Sequence, residues 1–263
     1  MDKTSLGDRM KKYYEQVWNY RLPMRMPVII RLDGKAFHTF TAKFDRPFDS
    51  RLIDAMNYTA LYLCEKIQGA QIAYIQSDEI SILLHNYKKL NSDAWFNNEV
   101  QKMVSVSAGM ASAYFSKQIE SSLPVKTDSR EDLAVFDSRA FVLPENEVCN
   151  YFHWRQTDWE RNSIQMLSQS LYSHEELINK NMTDMQEICF QKGKNWNDLD
   201  THLKRGRCVI KVTKPIATIH TTIDGVTGLG HTIERDIWII DNDIPIFSKD
   251  RNYIEKHLAI EEE

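Results

Sequence analysis

The chain has 263 residues, a formal net charge of −4 and 27% charged residues. This ordinary balance argues against a protein that coats itself in nucleic acid, although a local basic surface stays compatible with it. No apolar run reaches the roughly 18 residues that a membrane span needs, and the first thirty residues lack a secretory apolar core. We therefore predict a cytoplasmic protein without a membrane segment, whose four scattered cysteines are reduced and mostly buried.

The first predicted elements are a strand and a helix. An apolar run over 27–33 predicts a buried strand that ends at Asp33. Asp49 can cap a helix whose apolar positions then recur every three or four residues as far as Ile67.

A hairpin, a second helix and a further strand follow. Residues 71–76 and 80–84 predict the two strands of the hairpin, with the polar residues 77–79 in its turn. The second helix is predicted over 95–115 and the fourth strand over 133–143. The order β-α-β-β-α-β is that of ferredoxin-like folds.

Beyond Pro144 the sequence becomes polar and helical, with breaks predicted near 172–173 and again near 179–181. A strand over 206–212 and a hairpin that ends near 238–240 close the chain.

Asp224-Gly225 is the turn signal within that hairpin. We therefore predict an α/β (α+β) protein in two parts. Residues 1–143 would form a ferredoxin-like catalytic domain, and residues 144–263 a C-terminal subdomain of helices and a β-hairpin.

Three carboxylates fall at neighbouring strand ends of this predicted sheet. Asp33 ends the first strand, and Asp78 and Glu79 lie in the hairpin turn, so Asp33 and Asp78 can converge. Two carboxylates held close together repel each other unless a divalent cation lies between them. Magnesium prefers hard oxygen ligands and completes its shell with water and substrate phosphates. The residues alone leave two interpretations open: a metal-dependent phosphate enzyme, or structural turns.

Four segments resemble signature blocks of the tRNA-histidine guanylyltransferase family and its broader group of guanylyltransferase-like 3′–5′ polymerases. They are RLDGKAFHTF (31–40), QSDE (76–79), FDSR (136–139) and WRQTD (154–158), in this order. The resemblance implies a polymerase-type palm that adds nucleotides to the 5′ end of tRNA in the 3′-to-5′ direction. It also implies activation of that end by ATP and assembly as a homo-oligomer, commonly a tetramer.

The resemblance implies a site for two magnesium ions and for the substrates GTP and ATP. Asp33 and Asp78 match the family's metal ligands, the Gly34 carbonyl is the expected third ligand, and Glu79 matches a further catalytic position. Backbone amides of the loop after Gly34 suit phosphate because they are fixed donors. The expected nucleotide-binding residues are Lys35, Ala36, Phe37, His38, Lys43, Arg46, Ser77 and Lys102.

The tRNA 5′ end and acceptor stem are expected to lie over the second half of the chain, where basic residues concentrate. The candidate contacts are Arg139, Arg155, Lys192, Lys194, Asn195, Lys204, Arg205 and Arg207. A solvated basic face is the alternative interpretation of this run. Trp154 and Trp196 have equal claims to an RNA-contacting and a core position.

Two departures from the family pattern indicate one of its branches. Members dedicated to tRNA-histidine carry a HINNLYN-like run after the WRQxD block, whereas this chain has WERNSI at 159–164. A basic cluster before Lys102 is replaced by Asn97, Asn98 and Glu99. Both changes resemble the bacterial, archaeal and phage-type branch, which is associated with templated repair of 5′-truncated tRNA. A nucleotidyl cyclase and a non-catalytic tRNA-binding protein remain the alternatives.

Overall fold

The computed structural model describes residues 5–89, 91–122, 133–221 and 227–258. Its strands are β1 (Val28–Gly34), β2 (Ala70–Gln76), β3 (Glu79–Leu84), β4 (Phe136–Val142), β5 (Arg207–Thr221) and β6 (Thr227–Asp241). Its α-helices are α1 (Leu6–Met10), α2 (Phe37–Phe40), α3 (Ser50–Lys66), α4 (Val100–Ser122), α5 (Glu145–Leu171), α6 (His174–Leu177), α7 (Met182–Gln191), α8 (Thr201–Arg205) and α9 (Asn252–Glu255). No helix in these ranges is long and apolar enough to cross a membrane.

The described strands form an antiparallel sheet in the order β4-β1-β3-β2-β5-β6. The first four strands, with α3 and α4 between them, have the predicted ferredoxin-like order, which is confirmed. The C-terminal hairpin β5–β6 continues the same sheet, because Arg207 of β5 pairs with Ile75 of β2. The boundary between 143 and 144 stays a prediction.

Each face of the sheet has its own core, because side chains alternate along a strand. On one face Ile30 and Leu32 of β1 pack with residues of α3 and α4, such as Leu63 and Phe115. On the other face Ile29 packs with α5 and the segment after β6. Each such large apolar side chain, when fully buried, stabilises the fold by about 1.5–3 kcal/mol.

The predicted helix starts are confirmed in part. Asp49 caps α3 by accepting a hydrogen bond from the Arg51 backbone N–H at 2.9 Å. The second helix begins at Val100 rather than Trp95, because Phe96, Asn97 and Asn98 have φ values of 49°, 52° and 57°. That left-handed backbone cannot continue an α-helix.

Both predicted breaks in the second half are confirmed. Ser173 and Asn181 start α6 and α7 through capping boxes with Glu176 and Asp184. β5 extends beyond the predicted 206–212, and the predicted turn at Asp224-Gly225 lies outside the described residues. The four cysteines are buried and unpaired, as predicted: Cys64, Cys149, Cys189 and Cys208.

Candidate active site

The acidic residues Asp33, Asp78 and Glu79 come together at one end of the sheet. Asp33 lies opposite Glu79 in the ladder between β1 and β3. The Gly34 backbone N–H donates to the Asp78 carbonyl at 3.2 Å, which ties the end of β1 to the β2–β3 turn. The convergence expected from the strand order is therefore present at the level of the backbone.

The electrostatics of this cluster favour a bound cation. The pKa of Asp78 is raised to about 6, first by burial and then by the charges of Asp33 and Glu79. The pKa of Asp33 is also raised, first by burial and then by Glu79 and Asp137. A divalent cation would offset the repulsion that makes these carboxylates hard to ionise.

The donor set available to such a cation is small. Among the residues that the structure describes, no group of three or more His, Cys, Asp or Glu side chains is arranged to hold a metal. An ion here would therefore rest on the two aspartates together with backbone, water and substrate oxygens. That set suits magnesium, which takes few protein carboxylates and keeps several other oxygen ligands.

Glu79 forms a buried ion pair with Arg155 of α5. Arg155 donates from Nε and Nη2 to the two Glu79 carboxylate oxygens at 2.7 and 2.6 Å, and Nη2 also donates to Asp158 at 3.0 Å. The Ser81 hydroxyl donates to the same carboxylate at 3.2 Å. Arg155 is only 8% exposed. The predicted tRNA contact at Arg155 needs correction, because its guanidinium is buried and already paired.

The side chain of Phe37 holds the loop after β1 against the core. The Phe37 ring packs against Phe115 and Phe136, with ring centroids 5.4 and 5.0 Å away. A Cβ atom at Gly34 would lie 2.2 Å from that ring, so the close approach requires glycine. Phe37 thus has a structural side chain. The Thr39 and Phe40 N–H groups donate to the Ala36 carbonyl, whereas the N–H groups of Phe37 and His38 have no intrahelical acceptor and stay available.

A cavity of about 550 Å³ opens between this loop, the start of α3 and the middle of α5. Five of the predicted nucleotide-binding residues line it: Ala36, Phe37, His38, Arg46 and Ser77. Asp78 and Gly34 line it as well. The predicted nucleotide-binding residues Lys35, Lys43 and Lys102 do not, and Lys102 instead lies 3.5 Å from Glu99.

Sequence reasoning missed several residues of the cavity wall. Trp159 is 3% exposed and meets the Phe48 ring edge-on at 6.4 Å. Asp49 lines the cavity, and hydrogen bonds from Arg51 hold its pKa at about 2. The only sequence signal for Trp159 was its position in the segment that departs from the family pattern.

The predicted tRNA-contacting residues have different surroundings. Arg139 is half-exposed and lies 3.4 Å from Asp137. Lys192 donates to the Leu171 carbonyl at 2.6 Å, Lys204 donates to the Asn197 carbonyl, and Asn195 caps a 3₁₀ turn. Lys194 is exposed, and Arg205 is half-buried.

Arg207 requires a second correction. It is 2% exposed, and its Nε donates to Asn57 of α3 at 2.6 Å, because pairing with Ile75 directs it under that helix. It therefore offers no surface to an RNA backbone. The sequence left the positions of Trp154 and Trp196 undecided. Trp196 is half-buried and its indole N–H donates to the Ser163 hydroxyl at 2.9 Å. Trp154 is 54% exposed, and its ring stacks with the Arg155 guanidinium.

Comparison with known proteins identifies the family. The family model described as tRNAHis guanylyltransferase matches residues 7–144. A bacterial tRNA(His) guanylyltransferase-like protein solved with ATP is 44% identical, with a TM-score of 0.82 over 97% of this chain and 100% of that one. A second such bacterial structure, with GTP, is 42% identical, with a TM-score of 0.74 over 97% and 99%. The tRNA(His) guanylyltransferase of Debaryomyces hansenii is 29% identical over 73% of this chain and 76% of its own length. The chain therefore belongs to the tRNAHis guanylyltransferase family, a family of nucleotidyltransferases that act on the 5′ end of tRNA.

Proposed function

We propose that this protein adds nucleotides to the 5′ end of tRNA in the 3′-to-5′ direction, with magnesium held by Asp33 and Asp78. The observation that carries the proposal is the hydrogen bond from the Gly34 backbone N–H, directly after Asp33, to the Asp78 carbonyl, next to a cavity of about 550 Å³ that Asp78 lines. The raised pKa values of both carboxyls fit a site that a cation completes. The bacterial relatives solved with ATP and GTP support nucleotide binding in the same fold.

The chemistry makes one phosphorus–oxygen bond and breaks another. The 3′-hydroxyl oxygen of an incoming nucleotide bonds to the activated 5′ phosphorus of the tRNA, and the bond to the leaving phosphate breaks. Magnesium, when bound, supplies the positive charge that makes the hydroxyl more acidic and stabilises the leaving phosphate. Asp33 and Asp78 would hold that charge in place, and the Gly34 carbonyl is the expected additional ligand.

Positioning is the main task of the remaining residues, as expected for phosphoryl transfer. The backbone amides of Ala36, Phe37 and His38 would orient the triphosphate, and the Phe37 side chain fixes that loop to the core. Ser77 and Arg46 line the same cavity and can donate to phosphate oxygens. The ion pair between Glu79 and Arg155 would position Asp78, because Glu79 is its neighbour in the turn.

We further propose that the substrates are 5′-truncated tRNAs and that addition is templated by the opposite strand of the acceptor stem. Support comes from the sequence at 159–164, which differs from the run of members dedicated to tRNA-histidine, and from the likeness to bacterial proteins. The predicted contacts that are exposed or partly exposed remain the candidates for tRNA binding: Arg139, Lys192, Lys194, Asn195, Lys204 and Arg205. Assembly as a tetramer stays a prediction.

The test is incubation with labelled tRNAs that carry a 5′-monophosphate and lack zero, one or two nucleotides, together with magnesium, ATP and each nucleotide. We expect products that grow to full length with the nucleotides complementary to the opposite strand. Growth by a single guanylate whatever the truncation would contradict templated repair and leave the transfer reaction itself supported.

The matched variants are Asp78→Asn at the proposed metal site and Asp93→Asn, an exposed carboxylate outside it. We expect Asp78→Asn to lower the transfer rate by about 10³-fold or more, since loss of charge stabilisation in a transition state costs several kcal/mol. Asp93→Asn should transfer at the wild-type rate. An Asp78→Asn protein with near-normal rates would refute the metal assignment.

A further inference from the structure

Arg207 is a buried arginine that forms no close ion pair within the described residues, although the charge of Asp54 acts on it. Its side chain lies at the start of β5, is 2% exposed, and makes a hydrogen bond from Nε to the neutral Asn57 amide at 2.6 Å. Its Nη groups have no hydrogen-bond partner among the described residues, and the residue lines the 550 Å³ cavity. A buried guanidinium is costly unless its donors are satisfied, so two donors facing a cavity indicate a ligand with acceptor atoms.

The backbone holds Arg207 at this place. Gly206, just before it, has a φ of 82°, and a Cβ atom there would lie 2.6 Å from the Ile75 carbonyl oxygen. The chain can therefore approach β2 closely only with glycine at 206. Pairing with Ile75 then points Arg207 to the face of the sheet that α3 covers. Burial lowers the pKa of Arg207 to about 10, so the group still carries its charge at neutral pH.

The part of the cavity around Arg207 differs from the part around Asp78. The lining residues there are mostly apolar or aromatic, together with the amide of Gln169: Leu52, Met56, Trp159, Met166 and Leu203. The indole N–H of Trp159 has no hydrogen-bond partner within the described ranges. A flat ring with a few acceptor atoms fits such walls, whereas a phosphate would need more donors than one guanidinium.

We propose that Arg207 favours guanine over adenine when a nucleotide binds this cavity without a tRNA template, by donating from its two terminal nitrogens to N7 and O6 of the base. The inference rests on the proposed function, which puts the triphosphate beside Asp33 and Asp78 and so leaves this part of the cavity to the base. Guanine presents two adjacent acceptors at N7 and O6, which match the fork of an arginine. Adenine presents N7 and an amino donor, so one arginine N–H would face another N–H.

The first test uses wild-type protein and nucleotide analogues, so no variant needs to fold. Calorimetric titration in magnesium would compare GTP, ITP, 7-deaza-GTP and ATP. ITP keeps N7 and O6, and it should bind within about threefold of GTP. 7-Deaza-GTP lacks N7, and it should bind about 10-fold more weakly, as should ATP, in line with the discrimination that such a bidentate contact provides. Equal affinities for GTP and 7-deaza-GTP would overturn the proposal.

The second test changes the arginine. Arg207→Lys keeps a positive charge but removes the fork, and Arg207→Met removes both. In each variant GTP affinity should fall to that of ATP, while ATP affinity should change by less than about threefold. Arg161→Met is the matched control, because Arg161 is an exposed arginine of α5 outside the cavity. Equal weakening of GTP and ATP in the Arg207 variants would show a general structural or phosphate role and refute base selection.

The outcomes separate this inference from the proposed function. A wild-type protein that extends tRNA but binds 7-deaza-GTP as tightly as GTP refutes the role of Arg207 alone. A protein that shows the analogue pattern but extends no tRNA refutes the proposed reaction and leaves base selection standing.

Discussion

The two faces of the sheet each bury an arginine, and the two arginines are treated differently. On the face covered by α5, Arg155 meets the Glu79 carboxylate with two short hydrogen bonds and reaches Asp158 as well. On the face covered by α3, Arg207 makes a hydrogen bond to the neutral amide of Asn57, forms no close ion pair within the described residues, and lines a cavity. The paired arginine positions a turn of the chain, and the unpaired one keeps its donors for a ligand. Burial alone therefore does not separate structural from functional arginines, but the partner does.

The largest expected loss of stability comes from removing the ion pair between Arg155 and Glu79. Arg155→Met leaves the Glu79 carboxylate buried without a cation, which should destabilise the protein by about 3–5 kcal/mol. Urea unfolding followed by circular dichroism measures this loss. Arg161→Met on the same helix is the control and should change stability by less than about 0.5 kcal/mol, since Arg161 is exposed.

The double variant Glu79→Leu with Arg155→Met sharpens the same point. Removal of both charges leaves no buried ion unpaired, so most of the lost stability should return. A double variant as unstable as Arg155→Met alone would contradict the assignment of that loss to an isolated carboxylate.

A second expected effect on stability comes from two buried histidines, His257 and His85, whose neutral form is favoured in the folded state. Burial, with the nearby charges of Lys256 and Lys88, lowers the pKa of His257 to about 4, and His85 beside it also has a lowered pKa. The folded state therefore disfavours protonation, so this stability is present above about pH 6.5 and is lost as the pH falls toward 4. The expected loss is about 1–2 kcal/mol.

The measurement is the melting temperature between pH 7.5 and 5. His257→Gln should reduce its fall over this range, whereas replacement of the exposed His174 by glutamine should not. An unchanged pH profile in His257→Gln would remove His257 as the source.

The unpaired side of the comparison should show a smaller effect on stability. Arg207→Met loses one hydrogen bond to Asn57 but also removes a buried charge, so we expect a net change of about 1 kcal/mol or less. The same urea unfolding gives the value. A loss as large as that of Arg155→Met would mean that Arg207 is a structural cation after all.

The smallest effect is expected at the surface. Arg139 lies 3.4 Å from Asp137, and both side chains are about half-exposed. Arg139→Gln should change stability by less than about 0.5 kcal/mol, because solvent screens such a pair. If Arg139 contacts tRNA, the variant should bind tRNA more weakly and with a shallower salt dependence, which filter binding at several salt concentrations would detect. An unchanged salt slope would exclude that contact.

The sequence allowed the strand order and the backbone convergence of the β1 end with the β2–β3 turn to be predicted, because both follow from apolar periodicity and local turn signals. It did not reveal the environments of Arg155 and Arg207, which were both expected on an RNA-binding surface. Charge in a sequence carries no information on burial when the partner is 76 residues away, as Glu79 is from Arg155. The pairing of β5 with β2 likewise depends on contacts between distant segments, so the sequence did not predict that the hairpin continues the same sheet.

Strand β2 sets the distance between the proposed contact for the base and the proposed contact for the triphosphate. Ile75 pairs with Arg207 on one side, and the next residue, Gln76, pairs with Glu79 on the other. Main-chain hydrogen bonds of β2 therefore fix the spacing between Arg207 and the acidic turn at Asp78 and Glu79. Adding or removing one residue in β2 would turn the later side chains of that strand to the opposite face of the sheet. Arg207 and the acidic turn would then both be misplaced.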